Sequence, residues 1–217
     1  MKSDKLVVPK VINKLCKKKL LSVVLLLSFS NCAYAQTNKT RALEEIITCS
    51  SVNFFSTAIY IPPNLIDSIS ELDNETKSEL KKNQANLKMA SEAYAKRMVF
   101  FEELFFEISN NRSTLYIQQL VAKHVQNMKI VNQDEAFGVK IANAYVKCQS
   151  YTEGLVRLKI QTKPSEFSDK AVTYIVENLS QKLTSTDNLI GVMQISGLHW
   201  KHKEKMREKV TVESLKK

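Results

Sequence analysis

Glycine and proline are scarce in this sequence, 4 of each in 217 residues, where the two together average roughly 12%. A turn-dense sandwich or barrel needs more of both, and a glycine-rich phosphate loop has little to be built from. The P-loop, G-x-G-x-x-G, G-x-S-x-G, H-E-x-x-H and EF-hand spacings are missing as well, which removes most phosphate-, nicotinamide- and zinc-dependent chemistries. Neither a cofactor nor a metal is implied. At 44% hydrophobic and 25% charged, the composition is that of a folded chain and points to long helices.

The first nineteen residues carry seven lysines (Lys2, Lys5, Lys10, Lys14, Lys17, Lys18, Lys19) against one acid, Asp4. Leu20 to Phe29 is mostly apolar, and the small-residue ending Ala33-Tyr34-Ala35 precedes Gln36. A basic start, a short apolar run and an A-x-A ending are the marks of a secretory signal peptide. The apolar run spans about 15 Å as a helix, half of a roughly 30 Å hydrocarbon layer, too short for a permanent span. Cys32 raises lipidation, but Phe29-Ser30-Asn31 is a poor lipoprotein box. The expected mature chain begins after Ala35, in the periplasm or outside the cell.

That reading changes the meaning of the net charge of +10. The seven lysines less Asp4 supply +6, and residues 199–217 hold seven Lys and Arg against three Glu, another +4, so 36–198 is balanced. The basic character is therefore not a nucleic-acid footprint. Two cysteines remain after cleavage, Cys49 and Cys148, and in an exported protein such a pair reads as a disulfide. Closing a loop of about 100 residues stabilises by up to roughly 4.7 kcal/mol in the chain-entropy account.

The mature sequence reads as helices. Thr40 is placed to cap a first helix from about 41 to 60, ended by Ile61-Pro62-Pro63. Leu80, Leu87, Tyr94, Phe101 and Ile108 recur every seven residues, with Met98 and Phe105 beside them, predicting one helix from 75 to 108. Asn83, Gln84, Ser91 and Arg97 stand where a zipper would place Leu or Val, so a bundle helix is expected rather than a coiled coil. A third helix follows the Asn110-Asn111 break, from about 113 to 131. A fourth, from 134 to 161, turns Phe137, Ile141, Tyr145, Cys148, Thr152 and Leu155 to one side. A further helix is expected from 168 to 183. Gly191 and Gly197 leave 189–198 open between helix and strand.

The expected fold class is all-α, an up-down bundle of four main helices over 36–162, with a C-terminal helical extension at 163–217 that ends in a basic tail. Tyr94, Phe100, Phe101, Phe105 and Phe106 wrap too much of one helix for a single neighbour, and are read as core with a share offered to a partner or ligand. Glu102, Glu103 and Glu107 adjoin them. Glu103 and Glu107 share a helical face, which invites comparison with paired carboxylates, but no cleft signal accompanies them. The spacing His199-x-x-His202 is able to place two imidazoles on one turn, yet it lacks a third ligand and is flanked by lysines, so both histidines are read as solvated. His124 is read as a satisfied core residue. In the tail, Lys201, Lys203, Lys205, Arg207 and Lys209 surround Trp200 and three glutamates, enough for at most weak contact with an anionic membrane or the cell wall. The sequence thus favours a non-catalytic interaction or accessory protein of the bacterial periplasm with a protein partner. The alternatives are a carrier enclosing an apolar ligand lined by Tyr94, Phe101 and Phe105, or a cell-wall hydrolase with a dispersed site.

Overall fold

The computed structural model describes residues 36–128 and 134–214. Among these the regular structure is helical with no strand, and the protein is an all-α bundle. The expected signal segment 1–35, with Cys32, and Asn132-Gln133 of the expected corner lie outside the described residues.

The chain divides into two compact units, Met1–Thr40 and Arg41–Lys217. In the first, residues 36–40 are helical and the Thr40 hydroxyl donates to the Gln36 carbonyl at 3.0 Å. Thr40 is therefore inside a helix rather than capping one. In the second unit, helix α1 occupies 41–56 and tightens into a 3-10 turn at Thr57–Ile59. It is followed by α2 (Pro63–Ile66), α3 (Asn74–Lys82), α4 (Gln84–Ser109), α5 (Thr114–Met128), α6 (Glu135–Gln161), α7 (Pro164–Glu177) and α8 (Asp187–Ser214).

The long helix expected over 75–108 is two helices. All five heptad residues do turn inward: Leu80, Tyr94, Phe101 and Ile108 are buried and Leu87 is partly so. The break at Asn83 comes from side-chain amides competing for backbone carbonyls. Asn83 Nδ2 donates to the Glu79 carbonyl at 3.1 Å, and Gln84 Nε2 to the Leu80 carbonyl at 2.8 Å. The bend lets Leu80 join a small cluster with Ile61, Ile66, Ile69 and Leu72, while the rest of the stripe enters the main core. At the other end α4 stops on Asn110, whose φ of 59° is the left-handed cap conformation that Asn tolerates.

The ends of α6 and α7 follow local chemistry. Asp134 caps α6, accepting from Phe137 N at 3.2 Å. Helix α7 begins at Pro164, where a missing N–H costs nothing, and stops by Asn178, whose side-chain amide takes the Tyr174 carbonyl at 2.7 Å. It is thus shifted toward the N-terminus relative to the expected 168–183. The ambiguous 189–198 segment is helical: Met193, Ser196 and His199, three residues apart, form one fully buried stripe. Phe167, Ala171, Ile175 and Met193 enter the same core as Cys49, Phe101 and Tyr145. Helix α7 and the first half of α8, from Phe167 to Trp200, therefore share a core with the helices before them.

Cys49 and Cys148 are bonded and buried, with Cα atoms 5.3 Å apart and 99 residues between them in sequence. One turn before Cys49 on α1, Glu45 pairs with Lys147 at 2.9 Å, and Lys147 also donates to the Leu179 carbonyl at 2.8 Å. Covalent and ionic links thus tie α1 to α6 at one level. Near them Tyr145 meets Tyr94 edge-on at 5.4 Å and accepts a hydrogen bond from Arg97 of α4. Burial, with the Tyr145 hydroxyl nearby, pushes the Tyr94 phenol up to about 12.

Replacing Cys49 and Cys148 by alanine is expected to cost about 2–5 kcal/mol, read from urea midpoints, and neither of these two sulfurs should take up an alkylating reagent until the protein is unfolded and reduced. Two helical glycines, Gly154 and Gly191, behave oppositely. A Cβ at Gly191 meets nothing within 4 Å, so Gly191→Ala should stabilise by about 0.5–1 kcal/mol. At Gly154 it strikes the Tyr174 ring, and Gly154→Ala should lose about 1–2 kcal/mol once overpacking outweighs the propensity gain. Thermal melts of the two variants should move in opposite directions.

Candidate functional site

The chemistry of the bundle gathers around the end of α1. A helix leaves its last carbonyls without partners, and here that end is inside the protein. Donors arrive from two other helices. Trp200 Nε1 of α8 donates to the Phe55 carbonyl at 3.1 Å, His199 Nδ1 to the Ala58 carbonyl at 2.8 Å, and Ser91 Oγ of α4 to the Thr57 carbonyl at 2.7 Å. Gln84 Nε2 reaches the Ile61 carbonyl at 3.3 Å. Since a carbonyl only accepts, His199 carries its proton on Nδ1.

This overturns the solvated reading of His199, which is 1% exposed. Burial pushes its pKa down to about 4, opposed by the bond to Ala58 and reinforced by the neighbouring Lys203 and His202. His202 is half-buried with Nε2 3.1 Å from Ser68 Oγ, so the two histidines face different partners. Among the described residues no cluster of His, Cys, Asp and Glu is arranged to hold a metal.

The basic tail is similarly occupied. Lys205 and Lys201 lie 2.8 and 3.8 Å from Glu71 Oε1, and the Lys205 bond, with one from Ser70, holds the Glu71 carboxyl down to about 2. Lys203 lies 5.0 Å over the Trp200 ring, its pKa lowered by burial. Arg207 is exposed, and the Lys209 side chain lies outside the described residues. The first half of the tail therefore docks onto the segment before α3, and little free positive field remains there.

The aromatic cluster is mostly interior. Tyr94, Phe101 and Phe105 are buried, and Phe100 and Phe106 pack partly buried against them. The reason is that α4 has neighbours on several sides: Phe105 meets Tyr116 of α5 at 6.2 Å, and Ser168 of α7 bonds the Glu107 carbonyl at 3.5 Å. Three of the five residues read as a partner or ligand surface are thus spent on packing. His124 is half-buried on α5.

A cleft of about 320 Å³ does open beside them, lined by Phe54 of α1, Met98 and Glu102 of α4, and Gln118, Val121 and Ala122 of α5. Of the three glutamates singled out in sequence, Glu103 is exposed and Glu107 pairs with Lys159 at 3.4 Å. Glu102 alone lines the cleft. Burial raises its pKa, only partly offset by the neighbouring Ser50 hydroxyl. Phe54 joins this cleft to the α1 end through Trp200, ring centroids 5.4 Å apart. Gln118, Val121 and Ala122 carried no functional signal in sequence. Only the antiparallel return of α5 onto α4 after Asn110 brings them opposite Glu102.

No protein-family model, curated protein or solved structure matches the chain, so function is argued from these residues alone.

The buried His199 makes stability depend on pH. Its pKa is lowered in the folded state, so its contribution is complete above the ordinary value of 6.5 and is lost as pH falls toward 4. His199→Asn keeps a donor for Ala58 without a titrating group. Between pH 7.5 and pH 5 the native protein should lose about 2 kcal/mol more than this variant, measured by urea unfolding. Equal losses would remove His199 from the account.

Proposed function

We propose that the chain is an exported, non-catalytic interaction protein, acting in the bacterial periplasm or outside the cell after removal of residues 1–35, and that it meets a protein partner across the α1–α4–α5 cleft. The cleft carries this reading: it opens between three helices, with Phe54, Met98 and Val121 as apolar walls and Glu102 among them. Beside it Val99 and Leu115, large apolar side chains, stand 45% and 65% exposed. Exposed apolar groups rimming a partly apolar recess are a common form of partner surface.

The environment is argued from the bonded Cys49–Cys148 pair, since such bonds form and persist in oxidising compartments. No described helix is long and apolar enough to cross a membrane. An enclosed apolar-ligand carrier draws no support from Tyr94, Phe101 and Phe105, which pack against protein. Nor does a hydrolase from Glu103 and Glu107, one in solvent and the other paired with a lysine.

Site-specific photocrosslinking in living cells tests the interaction. A benzophenone side chain at Gln118 should give one defined protein adduct, and the same group at Glu153, exposed on α6, should not. Identical adducts from both positions, or none from Gln118, would refute the assignment of the cleft.

A further inference from the structure

The shape and charge of the cleft narrow what the partner brings to it, granted the interaction reading above. Glu102 forms no ion pair among the described residues, whereas Glu45, Glu71, Glu107 and Glu166 each have a lysine. Its carboxyl is half-buried between apolar walls and has lost water without gaining a cation. Next to it lies the fully buried Ser50 hydroxyl, a neutral group that brings no charge to balance the carboxylate. An arriving cation would supply the missing compensation.

The walls say what carries that cation. The Phe54 ring, Met98 thioether and Val121 side chain line the approach to Glu102, and a flexible methylene stem buries well against such groups while its charged end is free to find a carboxylate. A compact ammonium suits one carboxylate, whereas a guanidinium fork is best used where two oriented acceptors wait for it. The Phe54 ring among the lining residues is within the class of groups that make cation–π contacts.

The surroundings favour a protein as the source. Small-molecule sites enclose roughly 70–90% of the ligand, but this recess, at the small end of the usual range, opens past the exposed Gln118 and Ala122. A side chain projecting from a partner needs only its stem covered. Three residues from Glu102 on α4 stands Val99, and three residues from Gln118 on α5 stands Leu115, both exposed. Residues so spaced are helical neighbours, so the two flank the recess and give landing points for apolar residues on either side of an incoming basic one.

We propose that the cleft is a lysine-reading pocket, in which a protein partner inserts one lysine flanked by apolar residues, its stem lying between Phe54, Met98 and Val121 and its ammonium on the Glu102 carboxylate. The pocket confers selectivity for a positively charged anchor without any covalent step.

The test uses the oxidised full chain at pH 7 and three probes: the peptide Ac-Ala-Leu-Lys-Leu-Ala-NH2, the same peptide with norleucine at its centre, and n-butylamine. Binding is followed by NMR at the Met98 methyl and the Gln118 side-chain amide. The lysine peptide should shift both signals saturably, and the norleucine peptide should bind at least tenfold more weakly. Glu102→Gln should remove most of that difference, and the Glu102 carboxyl of the native chain should titrate lower when the lysine peptide is bound. Equal affinity for the two peptides, or an unchanged preference in Glu102→Gln, overturns the lysine reading while leaving an apolar docking surface. n-Butylamine binding as tightly as the lysine peptide overturns the protein source. If neither peptide moves Met98 or Gln118, the lysine pocket and the cleft as an interaction site both fall. The norleucine comparison needs no variant, so poor folding of Glu102→Gln leaves the proposal open to refutation.

Discussion

The buried end of α1 is the constraint around which this bundle is arranged. A helix terminus placed in a core brings carbonyls that water can no longer reach, and each one left bare would cost about 1–3 kcal/mol. The protein meets that cost with side chains rather than with a further turn of backbone. Ser91, His199 and Trp200 come from helices distant in sequence and converge on carbonyls of residues 55 to 58. Helices α4 and α8 are thereby fixed against α1 by directional bonds, and apolar packing by Met193 and Phe55 fills in around them. Hydrophobic burial drives collapse without choosing an orientation; these donors choose one.

The disulfide acts on another part of α1. Cys49 and Cys148 join it to α6, and the Glu45–Lys147 pair beside them repeats the connection in a different chemistry. With one end of α1 held by hydrogen bonds and its middle held to α6, little freedom remains for that helix. The cleft gains from this. Two of its walls belong to α4 and α5, which are joined by a short loop at the left-handed Asn110, and the third is Phe54 of the doubly anchored α1. A recess built on fixed helices is held in shape by the fold itself, which would lower the ordering cost of the proposed association.

Much of the fold was legible because helical periodicity encodes burial directly. The seven-residue stripe from Leu80 to Ile108 marked the inner face of α3 and α4, and the 4-4-3-4-3 spacing from Phe137 to Leu155 placed Cys148 inward, where it meets Cys49. Pro164 and Asn110 marked ends for similarly local reasons. The features that escaped are those in which a residue's environment comes from far along the chain. His199 and Trp200 sit among lysines, so local composition suggested solvent, yet their partners lie more than 140 residues earlier. Asn83 and Gln84 looked like imperfections in a stripe, and it is their amides that cut the helix. Glu103 and Glu107 share a helical face, as their spacing requires, but it is Glu102 that lines the recess. A recess exists only once α5 has folded back over α4, and no periodicity within α4 records that event.

The placement of the α1 donors has a consequence for how the molecule is made. Residue 58 leaves the ribosome early, but the indole and imidazole that seal its neighbourhood are encoded at positions 199 and 200. Until residues 199 and 200 exist, these carbonyls of the α1 end lack their side-chain donors. A chain lacking His199 and Trp200 would retain the disulfide partners and most of the apolar stripe, yet lack two of the groups that dry the helix terminus. Completion, rather than nucleation, is the step this architecture postpones.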